Sequence, residues 1–265
     1  MQQDLPSDWK TYDEFAAGIA TNRLPGSSAL VGTSVRIQVP GMTMTLSPRT
    51  ANELEWRAEG DDAGQDTDWY EAIEVAPEIF FLDMTFRSRP AQALTLVLDF
   101  NRKRVLAIRC RIRSAQEANG EPRVAQDFLP GTLGDDPLLV YGEAPRETRD
   151  LIGLRTFQTY SPNHTYEHTY LSSQRYAWQC LIGVQRGHGD VDMASYWRFD
   201  EGLYLFTFRE FLIPVASVFL FNFRDMRSTG KFLGVTGDGA VANSPAGAFI
   251  TKASVTFYPD GAAPV

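Results

Sequence analysis

The run His164-Thr-Tyr-Glu167-His168 carries the densest chemistry in the chain. On a helix, this H-x-x-E-H spacing would set both imidazoles on one face, where they can hold zinc. Pro162 precedes the run, however, and Thr165, Tyr166, Thr169 and Tyr170 favour a strand. Zinc hydrolysis is therefore disfavoured, and neither a metal nor a cofactor is expected. His168 remains as a hydrogen-bonded strand residue or as an acid or base in a cavity, because imidazole titrates near neutral pH. Asn163-His164-Thr165 is also a glycosylation sequon, which carries no weight without an export signal.

Three charged groups lie farther along. Gly230-Lys231 follows Ser-Thr, but no glycine stands five residues before Gly230, so this is not a phosphate loop. Lys231 is either an exposed hairpin lysine or a cation aimed into a dry pocket. Arg209 and Glu210 end an apolar run; as strand neighbours they face opposite sides, so one can point inward. Arg109, Arg111 and Arg113 share one strand face, as a solvated edge or an anion-binding stripe. Asp83 interrupts the apolar run 80–86, and parity alone does not say which face it takes. Tyr170, Tyr176, Trp178, Trp197, Tyr204 and Phe208 are dense enough to build a core, or to line a cavity for a flat ring.

Composition narrows the partners. Lys plus Arg total 25 against 33 for Asp plus Glu, a net charge of −8. That balance disfavours nucleic acid and anionic membrane surfaces. No apolar run approaches the roughly 20 residues of a spanning helix. Met1–Lys10 lacks the basic-then-apolar layout of a secretory signal, so a cytoplasmic location with Cys110 and Cys180 reduced is the expectation.

These side chains must be held by a scaffold that repeats. Trp56 and Trp178 are 122 residues apart, as are Asp68 and Asp190; Phe81 and Tyr204 are 123 apart, as are Asp99 and Asn222. Basic turns follow both copies at 101–104 and 224–227. Strand-like runs at 34–39, 79–86, 94–100 and 105–112 match others at 168–182, 196–199, 203–211, 215–223 and 231–235, with turn clusters between them. Few helices are expected; Trp9, Tyr12, Phe15, Ala16 and Ile19 recur at helical spacing behind Ser7 or Asp8, as a plug or buttress for a barrel end. The reading is all-β: a leading helix with a first barrel over 1–114, a connection over 115–150, and a second barrel over 151–265. Open strand edges would leave a homo-oligomer available.

Particular words in the second half (Tyr166-Glu-His168-Thr-Tyr170-Leu-Ser, Tyr176-Ala-Trp178-Gln-Cys180-Leu, Leu203-Tyr-Leu-Phe-Thr-Phe-Arg209-Glu210, Ile213-Pro214, Arg227-Ser-Thr-Gly230-Lys231-Phe and Asn243-Ser-Pro245-Ala-Gly247) resemble the molybdenum-cofactor biosynthesis protein F (MoaF) family. The resemblance is specific over about 165–250 and weaker over 30–113. It implies a duplicated calycin, that is, two antiparallel lipocalin-like barrels. Some relatives resemble aryl formaldehyde lyases. One implied activity is therefore a metal- and cofactor-independent lyase or isomerase acting on a small phenolic aromatic. In it, Lys231 or Arg209 would hold the phenolate, Tyr170 or Tyr204 would donate a hydrogen bond, and His168 or Glu210 would move the proton. Tyr176, Trp178 and Trp197 would pack the ring. The alternative is a non-catalytic carrier of a pterin-like or other aromatic ligand. The family name reflects operon context, and a fold does not fix a function.

Overall fold

The computed structural model describes residues 9–135 and 142–265. Eight antiparallel strands close the first barrel in chain order: β1 Val35–Val39, β2 Met42–Pro48, β3 Glu53–Gly60, β4 Gly64–Ala76, β5 Ile79–Thr85, β6 Gln92–Asp99, β7 Arg104–Ile112 and β8 Val124–Leu133. Pairing of Ile37 with Leu133 shuts it. After the two-residue β9, Arg146–Glu147, the second barrel repeats the same meander with β10 Leu154–Ser161, β11 His164–Ser172, β12 Arg175–Ile182, β13 Gly189–Asp200, β14 Leu203–Arg209, β15 Val215–Asn222, β16 Arg227–Val235 and β17 Val241–Val255. Thr159 pairs with Phe249 to shut that one. The all-β duplicated-barrel expectation holds. Closure pairs every strand of both eight-stranded cycles, so the open-edge route to an oligomer has no basis in them.

Alternation explains the strands. In β2 and β3 every second residue is buried, as the pattern of a one-sided strand requires. The run 168–182 is not one strand: it folds back at Ser173-Gln174 as a hairpin of β11 and β12. The stretch 115–150 is more than a connection, because β8 lies inside it and supplies the last wall of the first barrel. It also holds α2, Ala115–Ala118, capped by the Ser114 hydroxyl, which accepts from the Glu117 N–H at 3.2 Å.

Contacts divide the chain into two units, one of residues 24–111 with 126–146, the other of residues up to 23 with 112–125 and 147–265. The leading helix α1, Tyr12–Ala16, thus belongs with the second barrel and not with the copy it precedes. Its N-cap is Thr11, whose N–H donates to the Glu14 carboxylate at 2.9 Å; Ser7 and Asp8 lie outside the described residues. Tyr12, Phe15 and Ile19 bury themselves among Tyr160, Tyr166, Phe208 and Phe232 of the second core. The physical reason is geometric: a one-and-a-half-turn helix is not stable alone in water and takes its stability from the apolar face it inserts. Both cysteines are buried thiols and no disulfide joins them.

The duplication is legible atom by atom. Trp56 Nε1 donates to Asp68 at 2.8 Å, and Trp178 Nε1 donates to Asp192 at 2.9 Å. Asp190 is instead the register partner of Trp178, as Asp66 is of Trp56. The true equivalents are therefore Asp66 with Asp190 and Asp68 with Asp192. Likewise Ile79 faces Asp99 and Leu203 faces Asn222, which aligns Phe81 with Leu205 and Phe80 with Tyr204. The basic turns match as read, down to left-handed Lys103 (φ 54°) and Met226 (φ 53°).

Candidate functional site

The second barrel holds an aromatic hollow closed at one mouth by the N-terminal segment. Phe15, Ile19, Tyr160, Tyr166, Trp178 and Phe232 supply its apolar wall, and His168, Tyr176, Gln185, Phe208 and Glu210 complete the lining. The Tyr12 hydroxyl donates to the Phe232 carbonyl at 3.0 Å, Gly237 N–H donates to Asp13 at 2.9 Å, and Trp9 stacks on His188 with ring centres 5.4 Å apart. Only about 30 Å³ of the hollow admits a water-sized molecule. That is room for a water or two and not for a ring. A ring enters only when Phe15 and Ile19 withdraw.

Polar groups meet at this mouth. By parity β13 sends Asp192, Ala194 and Tyr196 inward, and β14 sends Phe206 and Phe208 inward with Glu210 next on the same side. Asp192 accepts from Trp178 Nε1. The loop 183–188 folds back through Cys180 N–H, which donates to the His188 carbonyl at 2.9 Å, and it presents Gln185 to the Tyr166 hydroxyl at 2.8 Å. Burial in this apolar setting pushes the Asp192 carboxyl up to about 7, against the Trp178 hydrogen bond and with the Asp190 charge adding to it. Burial, then the Asp192 and Asp190 charges, pushes Glu210 well above the ordinary carboxyl range. Desolvation also raises the Tyr166 and Tyr176 phenols. His168 sits between the rings of Tyr176 and Phe206, 5.3 and 5.7 Å between centres, with a buried Nδ1 that meets no hydrogen-bond partner. Burial holds it down to about 3, so it is neutral at physiological pH. The hollow therefore offers one carboxyl group with a raised affinity for its proton, Glu210, with Asp192 beside it, together with phenolic donors and a neutral imidazole.

Among the residues proposed from sequence, the fold gathers His168, Glu210, Tyr176 and Trp178 around the hollow and scatters the rest. Lys231 alternates with Phe232 on β16, so it takes the outer face; it is 1% exposed but does not line the hollow. Arg209 and Trp197 likewise take the outer faces of their strands, opposite Glu210 and Tyr196. Tyr204 shares the inner face with Glu210 but lies about 20 Å along the strand, where its hydroxyl donates to Asp150 at 3.1 Å. Tyr170 is inward but deeper, with its hydroxyl 3.2 Å from Thr156 Oγ1. Glu167 of the H-x-x-E-H run points outward to Arg155 and Gln179, and the two histidines lie along a strand, as Pro162 and the β-formers implied. Asp83 takes the outer face of β5 and accepts from Thr95 Oγ1 at 2.8 Å.

Sequence reasoning missed Asp192, Tyr166 and Gln185; it read the 9–19 segment as a plug or buttress but did not say which barrel it enters. Asp192 had a signal: each copy carries a Trp followed by an Asp-x-Asp pair, and only the second Asp of each pair reaches the indole. Gln185 and the plug reach the site by tertiary folding alone.

Comparison with known proteins divides the chain in sequence order, with the leading helix counted in the first half. Residues 7–114 match the MoaF N-terminal domain and residues 145–256 the MoaF C-terminal domain. Protein MoaF of Klebsiella aerogenes is 35% identical over 199 residues, covering 71% of this chain and 74% of that one. A crystal structure described as a putative beta-lactamase from Burkholderia vietnamiensis covers 43% of this chain and 98% of its own, at 16% identity and a TM-score of 0.33, which carries no argument. No described helix is long and apolar enough to cross a membrane. With both halves matched in order and a relative 35% identical over 74% of its own length, the chain belongs to the MoaF family.

Proposed function

We propose that the second barrel is a site for a small flat ring that offers N–H or O–H donors and carries no negative charge, with a pterin-like ring the best fit. One observation carries this reading: among the described residues, the hollow is lined by aromatic rings and a carboxyl group, with Asp192 beside it, and by no Lys or Arg. A carboxyl group pairs with the N–H and C=O edge of an amino-pyrimidinone whether or not it holds its proton, whereas a phenolate or benzoate would meet no counter-charge there. Family membership supports a link to molybdenum-cofactor supply, whose cofactor is built on a pterin. Titration of the full chain with a neutral pterin, followed by Trp fluorescence, should show saturable binding that Glu210→Gln weakens about tenfold, the worth of one charge-assisted hydrogen bond. Binding that is equal for an anionic aromatic of the same size would overturn it.

A catalytic reading of the same hollow rests on the raised affinity of Glu210 for a proton. A buried carboxyl of that kind, set among phenol rings, can take up and return a proton. It would take the phenolic proton of a neutral ring and return it to the ring carbon that bears the hydroxymethyl group. Loss of the alcohol proton then breaks the carbon–carbon bond, its electrons return to the ring, formaldehyde leaves and reprotonation of the oxygen restores the phenol, without Lys231 or Arg209. Formaldehyde release from hydroxymethyl-bearing phenols, abolished by Glu210→Gln, is the supporting result; a pterin recovered intact with no turnover of such phenols favours the carrier.

A further inference from the structure

The first barrel opens differently. Its mouth holds a cavity of about 210 Å³, against about 30 Å³ in the second by the same water-sized measure. Its floor is apolar, with Met42, Met44, Phe86 and Leu94 inward from β2, β5 and β6. Its rim is cationic. Arg109 and Arg111 fall on the inner face of β7 with Val105 and Ala107, and Arg89 joins them from the turn after β5. Asp62 and Asp127 are the acids of the lining, so three guanidinium groups face two carboxylates in a chain whose net charge is −8.

The guanidinium groups are already arranged as a clamp. Arg109 Nη1 lies 3.0 Å from Asp62 Oδ2, and Arg89 Nη1 lies 3.5 Å from Asp62 Oδ1. Asp62 is thus shared by two arginines, and Arg109 Nη2 also lies 3.5 Å from Asp127 Oδ2; buried donors are still left over, since Arg89 Nη2 and Arg109 Nε meet no hydrogen-bond acceptor. Arg89 is held flat, its guanidinium 4.2 Å from the Phe86 ring centre and 5.5 Å from that of Trp56. Stacking of this kind fixes the plane of the fork and leaves its edge for a planar anion. None of this is copied in the second barrel, where the residue in register with Arg109 is Phe232 and the one matching Phe86 is Glu210.

We infer that the mouth of the first barrel is a second binding site, for a small organic carboxylate with an apolar body, and that Asp62 occupies the clamp in place of the ligand's own head group. The carboxylate would take the free Arg89 and Arg109 donors, and the body would lie on the two methionines, Leu94 and Phe86. This site is independent of the ring site proposed in the second barrel.

Benzoate and its neutral analogue benzamide are the probes, titrated into the full chain by calorimetry with the five Trp indole N–H resonances followed in parallel. Benzoate should bind at least tenfold more tightly than benzamide and should move the Trp56 resonance but not that of Trp178. Arg109→Gln should remove the preference. Asp62→Asn frees Arg89 and leaves Arg109 held by Asp127 alone, at 3.5 Å, and should tighten benzoate several-fold, a gain that a merely structural Asp62 would not give. Equal binding of the two probes, a shift at Trp178 in place of Trp56, or weaker binding by Asp62→Asn would overturn the inference.

Discussion

Asp192, Glu210 and His168 are three ionisable side chains in one apolar space, and burial drives them in opposite directions. A carboxyl whose folded value lies above its unfolded one keeps a proton that the unfolded chain releases. Between about pH 4 and about pH 7 the stability from Asp192 therefore falls as pH rises, by roughly 4 kcal/mol as an upper bound at 1.4 kcal/mol per unit. His168 does the reverse: its folded value of about 3 lies below 6.5, so stability is lost as pH falls from about 6.5 towards 3. The two trends oppose each other in the intact chain, and single variants separate them. Melting curves from pH 4 to 8 should show the wild-type advantage over Asp192→Asn shrinking as pH rises, and the advantage over His168→Gln growing. Parallel pH slopes for all three proteins would refute both assignments. Lys231 belongs to the same scale. With Phe232 occupying the inner face beside it, Lys231→Met should leave ring affinity in the second barrel within about twofold, a change below about 0.4 kcal/mol, as a fluorescence titration would show.

At the scale of elements, the N-terminal segment decides whether the second hollow is open. Phe15 packs 5.6 Å from Phe232 and fills the space that a ring would take. Phe15→Ala should cost about 3 kcal/mol in chemical denaturation, as a buried Phe truncation does, yet raise affinity for the pterin probe because the occupant of the hollow is gone. Loss of both stability and affinity would mean that the segment is only structural. Gly18 is the hinge of this plug. Its φ is +89°, and a β-carbon there would lie 3.1 Å from the His164 ring. Gly18→Ala should therefore loosen the same segment, read as faster amide exchange at residues 12–23 with the strands of the barrel unchanged. The helical spacing of Tyr12, Phe15 and Ile19 was plain in the sequence, but the barrel it enters was not, since nothing local records a contact with Phe232 more than two hundred residues away.

For the whole molecule, barrel closure governs where the chain can be cut. The first barrel needs β8, so a fragment of residues 24–146 should elute as a folded monomer, whereas 24–114 would leave β1 and β7 with open edges and should aggregate. Size exclusion and circular dichroism of the two fragments check this; a well-behaved 24–114 would show that closure is dispensable. Duplication kept the frame and let the contents diverge. Both barrels retain the indole-to-carboxylate bond and the left-handed turn residue, while the mouths became cationic in one copy and acidic in the other.

From the residues alone came the all-β class, the duplication, the strand nature of the H-x-x-E-H run and a pocket-facing share of the second-half aromatics, because alternation and repeated landmarks are local properties that a single chain displays. The assignment of faces was not local. Whether Glu210 or Arg209, Lys231 or Phe232 points inward depends on one residue of register, and register is set only when each strand pairs with neighbours brought from elsewhere. That same closure placed Asp192 beside Glu210, drew the leading segment into the second barrel, and turned a carboxyl group towards the hollow where a cation had been expected.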